Sequence, residues 1–490
     1  MNPERKNLNL DAIAGLRFST ASKIFEIIAI LIIVMILARL IEPKDFGIMA
    51  MCSVFTGISA LLIDFGTSDA IIRHKEEKIS DSFLSSIFWI NNLLGIVIMS
   101  IMISVSGLIA NLYGYEIIKT IVIILSINII FSAMESVPTA IIIRNLDFRK
   151  ILYQKVLILP ISGFIGVTMA VNGYGVWSLV AQQIVFVIGG SLFIWYLSKW
   201  KPIFSFDVGH IKEIFHFSGY LSLSKFVNYF TKNGDLFLIG KYIGAESLGI
   251  YSKGYQFTVQ IIKSINGIVI KVFYPSISKI QNDKKKLSEV FASTLQVMLS
   301  IYSVIFLIGF MFSEEIVYAL LGGQWGSVAP LLPVFLLLAL FFGLGSIGSH
   351  TLKALGHAKL IFKIIFFNAV LTISAFVIGL QWGIKGVAIG YLFTTFILFL
   401  SLLINSMRYL SIRLMGVAIV FFKNIILMLL VFIAVGELLD YSGIQTSLIR
   451  LILGMSLILI IVGAYHYTLK TLEFRILKSL IKNKLSEKYQ

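Results

Sequence analysis

Charge is scarce in this sequence. Only 13% of its 490 residues are Asp, Glu, Lys or Arg, while 58% are hydrophobic and the mean hydropathy is +0.93. Soluble proteins carry about 25% charged residues. A chain with half that charge cannot close into a water-soluble globule, and it reads as an integral membrane protein built of transmembrane helices. Cysteine is scarcer still. A single one, Cys52, rules out an internal disulfide framework and a cysteine-based metal cluster; in an apolar run it reads as a packing residue. Acidic residues number 25 against 41 Lys and Arg, for a net charge of +16. In a membrane protein such an excess reports topology first, so nucleic-acid binding is a poor explanation of it. Catalytic signatures are missing as well: there is no G-x-x-x-x-G-K-[ST] phosphate loop, no H-E-x-x-H zinc motif and no paired D-x-D. No loop exceeds about twenty residues, which leaves no room for a soluble catalytic domain. None of the six His lies mid-helix beside an obvious acid. The first apolar run, Ile24 to Leu40, lacks a small-residue cleavage site and is expected to remain as the first span.

What the chain does have is a succession of apolar runs near twenty residues. They fall at 16–40, 46–64, 82–109, 116–134, 151–171, 175–197, 218–240, 248–272, 290–312, 328–348, 360–380, 385–407, 414–437 and 446–469. The predicted fold class is therefore an all-α polytopic membrane protein of about fourteen helices. Thirty of the 41 basic residues sit at the two ends and in alternate loops, and six (Arg39, Lys44, Lys119, Lys241, Lys385, Arg450) on the other side. That bias places both termini in the cytoplasm. Five lysines remain inside predicted helices: Lys23, Lys225, Lys232, Lys253 and Lys263.

A weak internal repeat runs through the first twelve spans. Ser22-Lys23 falls on Ser224-Lys225, Arg39 on Lys241, and Phe46-Gly47-Ile48 on Leu248-Gly249-Ile250, all at an offset of 202. Arg144-Asn145-Leu146 then matches Lys353-Ala354-Leu355 at 209, and Gly175-Val176 matches Gly386-Val387 at 211. Six spans per repeat is an even number, so the two halves share one orientation about an axis along the membrane normal. The expected organisation is an N-lobe (1–205), a C-lobe (206–410) and a segment (411–490) with two further helices and a basic cytoplasmic tail. Two lobes around a site are suited to alternating access.

A charged side chain at mid-helix costs about 2.5–3.5 kcal/mol on insertion scales, so each calls for a partner or a watery cavity. In the first span Lys23 and Glu26 share a face, as a local ion pair or as cavity lining. In the seventh, Ser218, Ser222, Lys225, Asn228, Tyr229, Lys232 and Asp235 fall broadly on one face, too polar for lipid. Lys263 lies near the middle of the eighth span, whereas Lys253 is placed to snorkel at its edge. Asp64 and Asp69 read as solvated or paired with Arg73 and Lys75. The expected site is a cationic cavity for an anionic ligand, with Lys23, Lys225, Lys232, Lys263, Asn228 and Tyr229 binding substrate. Pyrophosphate suits Lys23 and Lys225, which the repeat relates. Asp235 and Glu26 are the candidate ion-coupling carboxylates. No metal or other cofactor is expected beyond a coupling ion, H+ or Na+.

At Leu37-Ala-Arg-Leu-Ile-Glu-Pro-Lys-Asp-Phe-Gly-Ile-Met-Ala-Met51 the chain resembles the Wzx-type polysaccharide exporters, in particular the colanic-acid exporter branch. That superfamily, MOP, also holds the MATE multidrug exporters and the lipid II flippases. The similarity continues at Asp64-Phe65-Gly66 with Ala70, Phe88-Trp89 with Asn91, Arg144-Asn-Leu-Asp-Phe148 and Gly175-Val-Trp-Ser-Leu-Val180. Asn233-Gly-Asp235, Ile239-Gly-Lys241, Leu248-Gly-Ile-Tyr-Ser-Lys253, Phe273-Tyr-Pro275 and Gln324-Trp325 extend it into the second lobe. The resemblance implies a V-shaped protein of two lobes and a non-enzymatic function. It would flip an undecaprenyl-pyrophosphate-linked oligosaccharide across the bacterial inner membrane for O antigen, capsule or exopolysaccharide synthesis. Membrane lipids and a polysaccharide polymerase are the implied partners. Two alternatives compete. A MATE-like cation-coupled drug exporter would favour an acidic cavity, against which the lysines argue. A membrane-embedded polymerase or ligase would need a long outward loop bearing Arg or His, and the outward loops here are short.

Overall fold

The structure is a computed structural model that describes residues 3–63, 67–73, 79–205, 229–281, 283–442, 447–469 and 471. All regular structure among these residues is helical. The helices are α1 (Pro3–Leu40), α2 (Pro43–Ile63), α3 (Thr67–Arg73), α4 (Asp81–Tyr113), α5 (Ile117–Arg144), α6 (Phe148–Val171) and α7 (Val176–Ser198). After them come α8, described over 229–242, α9 (Ala245–Lys279), α10 (Lys284–Met311), α11 (Ser313–Leu320) and α12 (Leu332–Ala354). The last four are α13 (Ala358–Gly379), α14 (Gly383–Leu410), α15 (Leu414–Tyr441) and α16 (Ser447–Thr468). Twelve segments among the described residues are long and apolar enough to cross a membrane. One of them, Ala358–Leu410, holds both α13 and α14 around a short 3-10 turn at Leu380–Trp382. With the described part of α8, these elements fit the fourteen expected spans, and α3 and α11 are too short to cross.

The expected span ends differ where a helix outlasts its apolar stretch. α5 does not stop at 134 but continues through Pro138 to Arg144. Proline has no N–H, so the Met134 carbonyl one turn back loses its helical donor. Trp195 Nε1 on α7 donates to that carbonyl at 3.1 Å, which lets the helix run on. α6 likewise starts at Phe148 rather than 151. Cys52 is fully buried, as a packing residue should be.

Contacts divide the chain into two compact units, Met1–Gly249 and Ile250–Gln490. In the first, α1 packs along α6, α4 packs on α5, and α5, α6 and α7 pack on one another, with α2 against α4, α5 and α7. Aromatic rings clamp the start of α4. Phe88 packs edge-on to Trp89, Trp195 and Trp200, while Trp89 Nε1 donates to the Ile203 carbonyl at 2.9 Å. Two motifs distant in sequence meet at the start of α7, where the Asp45 carboxylate accepts the Val176 backbone N–H. A carboxylate is favoured there by the unsatisfied amides of a helix N-terminus. The core of the second unit includes Phe291, Met298, Tyr302, Leu338, Ile347 and Phe399, from α10, α12 and α14.

The repeat has a physical counterpart where the starts of α2 and α9 cross. A Cβ on Gly47 would collide with the Ala245 backbone carbonyl, and one on Gly249 with the Pro43 carbonyl. The offset of 202 relates Gly47 to Gly249 and also Pro43 to Ala245. Each contact is therefore the other with its partners exchanged. Only glycine lets the two backbones approach this closely.

Candidate functional site: charged groups inside the spans

Glu26 organises the charges of the first unit. α1 and α6 lie side by side, with Ile33 filling the space above Gly163 and the Arg149 guanidinium 4.7 Å from the Phe18 ring. In that register Lys155, two turns into α6, reaches Glu26 Oε2 at 2.7 Å, and Lys23 reaches the same oxygen at 3.0 Å. The Glu26 side chain is 18% exposed and Lys155 22%, whereas Lys23 is 56% exposed. Two ammoniums thus share one carboxylate and leave a net positive charge, with Lys23 as the open member.

On α8 the predicted face divides. The Tyr229 hydroxyl donates to the Val54 carbonyl at 2.8 Å and sits at 3.2 Å from that of Ser53, in the space that a side chain at Gly57 would fill. Tyr229 thereby ties α8 to the backbone of α2. Lys232 is exposed. Asp235 is buried, and its Oδ1 accepts the Leu236 N–H at 2.8 Å. Lys225, Asn228, Ser218 and Ser222 lie outside the described residues, as does Asp64. In the second unit Lys263 is exposed with its ammonium 5.8 Å from the centre of the Tyr255 ring, a cation–π contact. Lys253 turns along its own helix to Gln256 Oε1 at 3.1 Å. The structure thus brings Lys23 and Glu26 together and gives Tyr229 a packing partner.

Sequence reasoning missed two residues. Lys155 counted among the basic residues of the loop before it, because it lies only four residues past the expected span start at 151. Glu135 fell just past an expected helix end. It lies on α5 in a stripe of polar residues, Asn128, Ser132, Glu135 and Thr139, at helical spacing. No ion pair reaches Glu135 among the described residues. Its neighbour Ser136 receives the Asn91 amide at 2.9 Å, and that amide also donates to Thr67. The available signal was the apolar Ala140-Ile-Ile-Ile143 run after Pro138, which keeps the helix inside the membrane beyond Glu135.

The fold and the sequence each have known counterparts. The lipid II flippase MurJ in an inward closed conformation superposes with a TM-score of 0.74 at 18% identity, over 93% of this chain and all of that one. An inward-facing multidrug resistance MATE transporter of the MOP superfamily gives 0.62 at 14% identity, over 79% of this chain and 94% of that one. In sequence, the chain is 27% identical over 394 residues to the lipopolysaccharide biosynthesis protein WzxC of Escherichia coli K12, covering 79% of each chain. It is 27% identical to the teichuronic acid biosynthesis protein TuaB of Bacillus subtilis 168, over 63% of this chain and 64% of TuaB. Residues 36–330, more than half of the length, match the family described as polysaccharide biosynthesis protein. That match, over more than half of its length, places the chain in the polysaccharide biosynthesis protein family.

Proposed function

We infer that this protein is a flippase for a lipid-linked oligosaccharide. It moves an undecaprenyl-pyrophosphate-linked glycan from the cytoplasmic to the periplasmic face of the inner membrane, where a polysaccharide polymerase uses it. The observation that carries the reading is the Lys23–Glu26–Lys155 cluster, a net positive charge held within membrane-spanning helices with Lys23 open. An exposed ammonium at that depth asks for an anion, and a pyrophosphate provides one. Lys225, Lys232 and Lys263 are the further lysines assigned to substrate binding. The basic-residue bias supports cytoplasmic termini.

Transport draws on an H+ or Na+ gradient. Glu26 already neutralises two ammoniums and is poorly suited to bind another cation. Glu135, with no ion pair among the described residues, and buried Asp235 are the better coupling carboxylates. Cells lacking the protein should accumulate the lipid-linked glycan on the cytoplasmic face, and the wild-type gene should restore export. Lys23→Ala and Lys225→Ala, present at normal levels, should not. Normal export by the double variant overturns the assignment of these lysines. Accumulation of a different species overturns the cargo. In vesicles, Glu135→Gln should transport without responding to an imposed pH or Na+ gradient; an unchanged response removes Glu135 from the coupling step.

A further inference from the structure

The C-terminal helix pair encloses a second polar site, unrelated to the charges above. α15 and α16 pack on α10 through an apolar seam of Leu307, Leu427, Val431, Val435, Ile458 and Val462. One turn before Leu427 the seam changes character. Asn424 is 9% exposed; its Nδ2 donates to Ser300 Oγ at 3.2 Å, and its Oδ1 is buried with no hydrogen-bond partner. A cavity of about 230 Å³ opens there. Gln296 and Ser300 of α10, Lys423 and Asn424 of α15, His466 of α16 and Thr471 line its polar wall, with His466 Nδ1 at 2.9 Å from Thr471 Oγ1.

The chemistry of this wall is one-sided. An ammonium has three donors and no acceptor, and no carboxylate is among the described residues that line the cavity. Lys423 forms no ion pair with the described residues. A half-turn of the Asn424 amide would exchange its two atoms and put an N–H donor where the unpartnered oxygen stands. Amide and hydroxyl groups that can turn their donors inward, beside a lysine, fit an anion. The volume corresponds to about eight waters at ~30 Å³ each, below the 300–1,000 Å³ typical of drug-sized ligands. It suits a phosphoryl group and its ester oxygen.

Position separates a lipid from a soluble anion. Lys423 lies nine residues, about 14 Å, from the start of α15, and His466 is in the last turn of α16. The site therefore lies toward the end of the span where exposed Arg408 and Arg413 lead into α15. Beside it Ile419, Phe422 and Ile426 present exposed apolar surface along which acyl chains can lie. Basic pockets between transmembrane helices are suited to acidic lipid head groups.

We propose that this cavity seats the phosphoryl head group of a membrane lipid, with Lys423 as its counter-charge. The seat does not depend on the identity of the cargo. The test is native mass spectrometry of the full-length protein, released from detergent after titration with dioleoylphosphatidylglycerol or, separately, with inorganic phosphate. Wild type should retain a lipid adduct at concentrations where Lys423→Gln needs about tenfold more lipid, and Lys423→Arg should stay close to wild type. Gln296→Leu, which alters the facing wall on α10, should also weaken retention, and each variant is required to elute as a monodisperse peak. Equal retention by wild type and both weakening variants overturns the proposal. Binding of inorganic phosphate as tight as that of the lipid overturns the assignment to a lipid.

Discussion

Removing either lysine from the Glu26 cluster should have very different consequences, and the structure sets the size of the difference. At 2.7 Å, in the effective dielectric of ~20 that suits partly buried protein sites, the Lys155–Glu26 attraction is about 6 kcal/mol before desolvation is subtracted. Lys23 stands at 3.0 Å but is 56% exposed, so water of dielectric ~80 reduces its share to about 1.4 kcal/mol, and ordering its side chain costs most of that. Lys155→Met leaves Glu26 with only the exposed Lys23 as partner and should destabilise the protein by about 1.5–3 kcal/mol, the range for a hydrogen bond to a charged group. Lys23→Met should cost about 0–1 kcal/mol. Adding Glu26→Gln to Lys155→Met removes a carboxylate that only the exposed Lys23 still neutralises and should recover part of the loss. The assay is the fraction of detergent-solubilised protein that remains monodisperse after heating, read by size exclusion for the wild type, the single variants and the double variant. If Lys23→Met is as destabilising as Lys155→Met, or if Glu26→Gln brings no recovery, then burial does not rank these pairs. If the ranking holds, a stable Lys23→Met variant that no longer exports has lost cargo handling rather than folding.

Other consequences follow from single contacts. Tyr229→Phe removes the hydrogen bond to the Val54 carbonyl and should cost about 1 kcal/mol. Gly57→Ala should be more harmful, because its Cβ meets the Tyr229 hydroxyl, and part of that loss should return when both changes are combined; thermal stability of the three proteins checks this. Trp195→Phe orphans the Met134 carbonyl beside Pro138 and should cost about 1–3 kcal/mol. The same substitution should be milder in a Pro138→Ala background, where a backbone N–H is again available; equal losses in both backgrounds would refute that account. Gly47→Ala and Gly249→Ala should each lower the yield of monodisperse protein by similar amounts, since their contacts are related by exchange. A severe effect at one position and none at the other would deny that equivalence.

Hydropathy is a local property, and for that reason the helical architecture could be read from the chain. Each span announces itself in some twenty consecutive residues. The matching places of Gly47 and Gly249 in matching motifs were legible on similar grounds. That these two glycines meet could not be read, since an offset in sequence says nothing of contact. The span ends were less legible. A proline after residue 134 looks like a terminus until the indole of Trp195, 61 residues on, is known to serve the carbonyl that Pro138 leaves without a donor.

The charges were the least legible part, for a related reason. Lys23 with Glu26 is a three-residue spacing and could be read as a pair. Lys155 lies 129 residues from Glu26, and near a helix start it is indistinguishable from the loop lysines that report topology. Only the parallel register of α1 and α6, set in part by the missing side chain at Gly163, shows that it is a partner and not a surface charge. Tyr229 makes the same point from the other side. Its place on a polar stripe made it a candidate for cargo, yet the space at Gly57, on another helix, turns its hydroxyl to the α2 backbone. In both cases a glycine far away in sequence decides what a polar side chain does. A polar residue inside a membrane helix therefore acquires its role from the helix it faces, and small residues on that neighbour are the part of the sequence from which the role can be read.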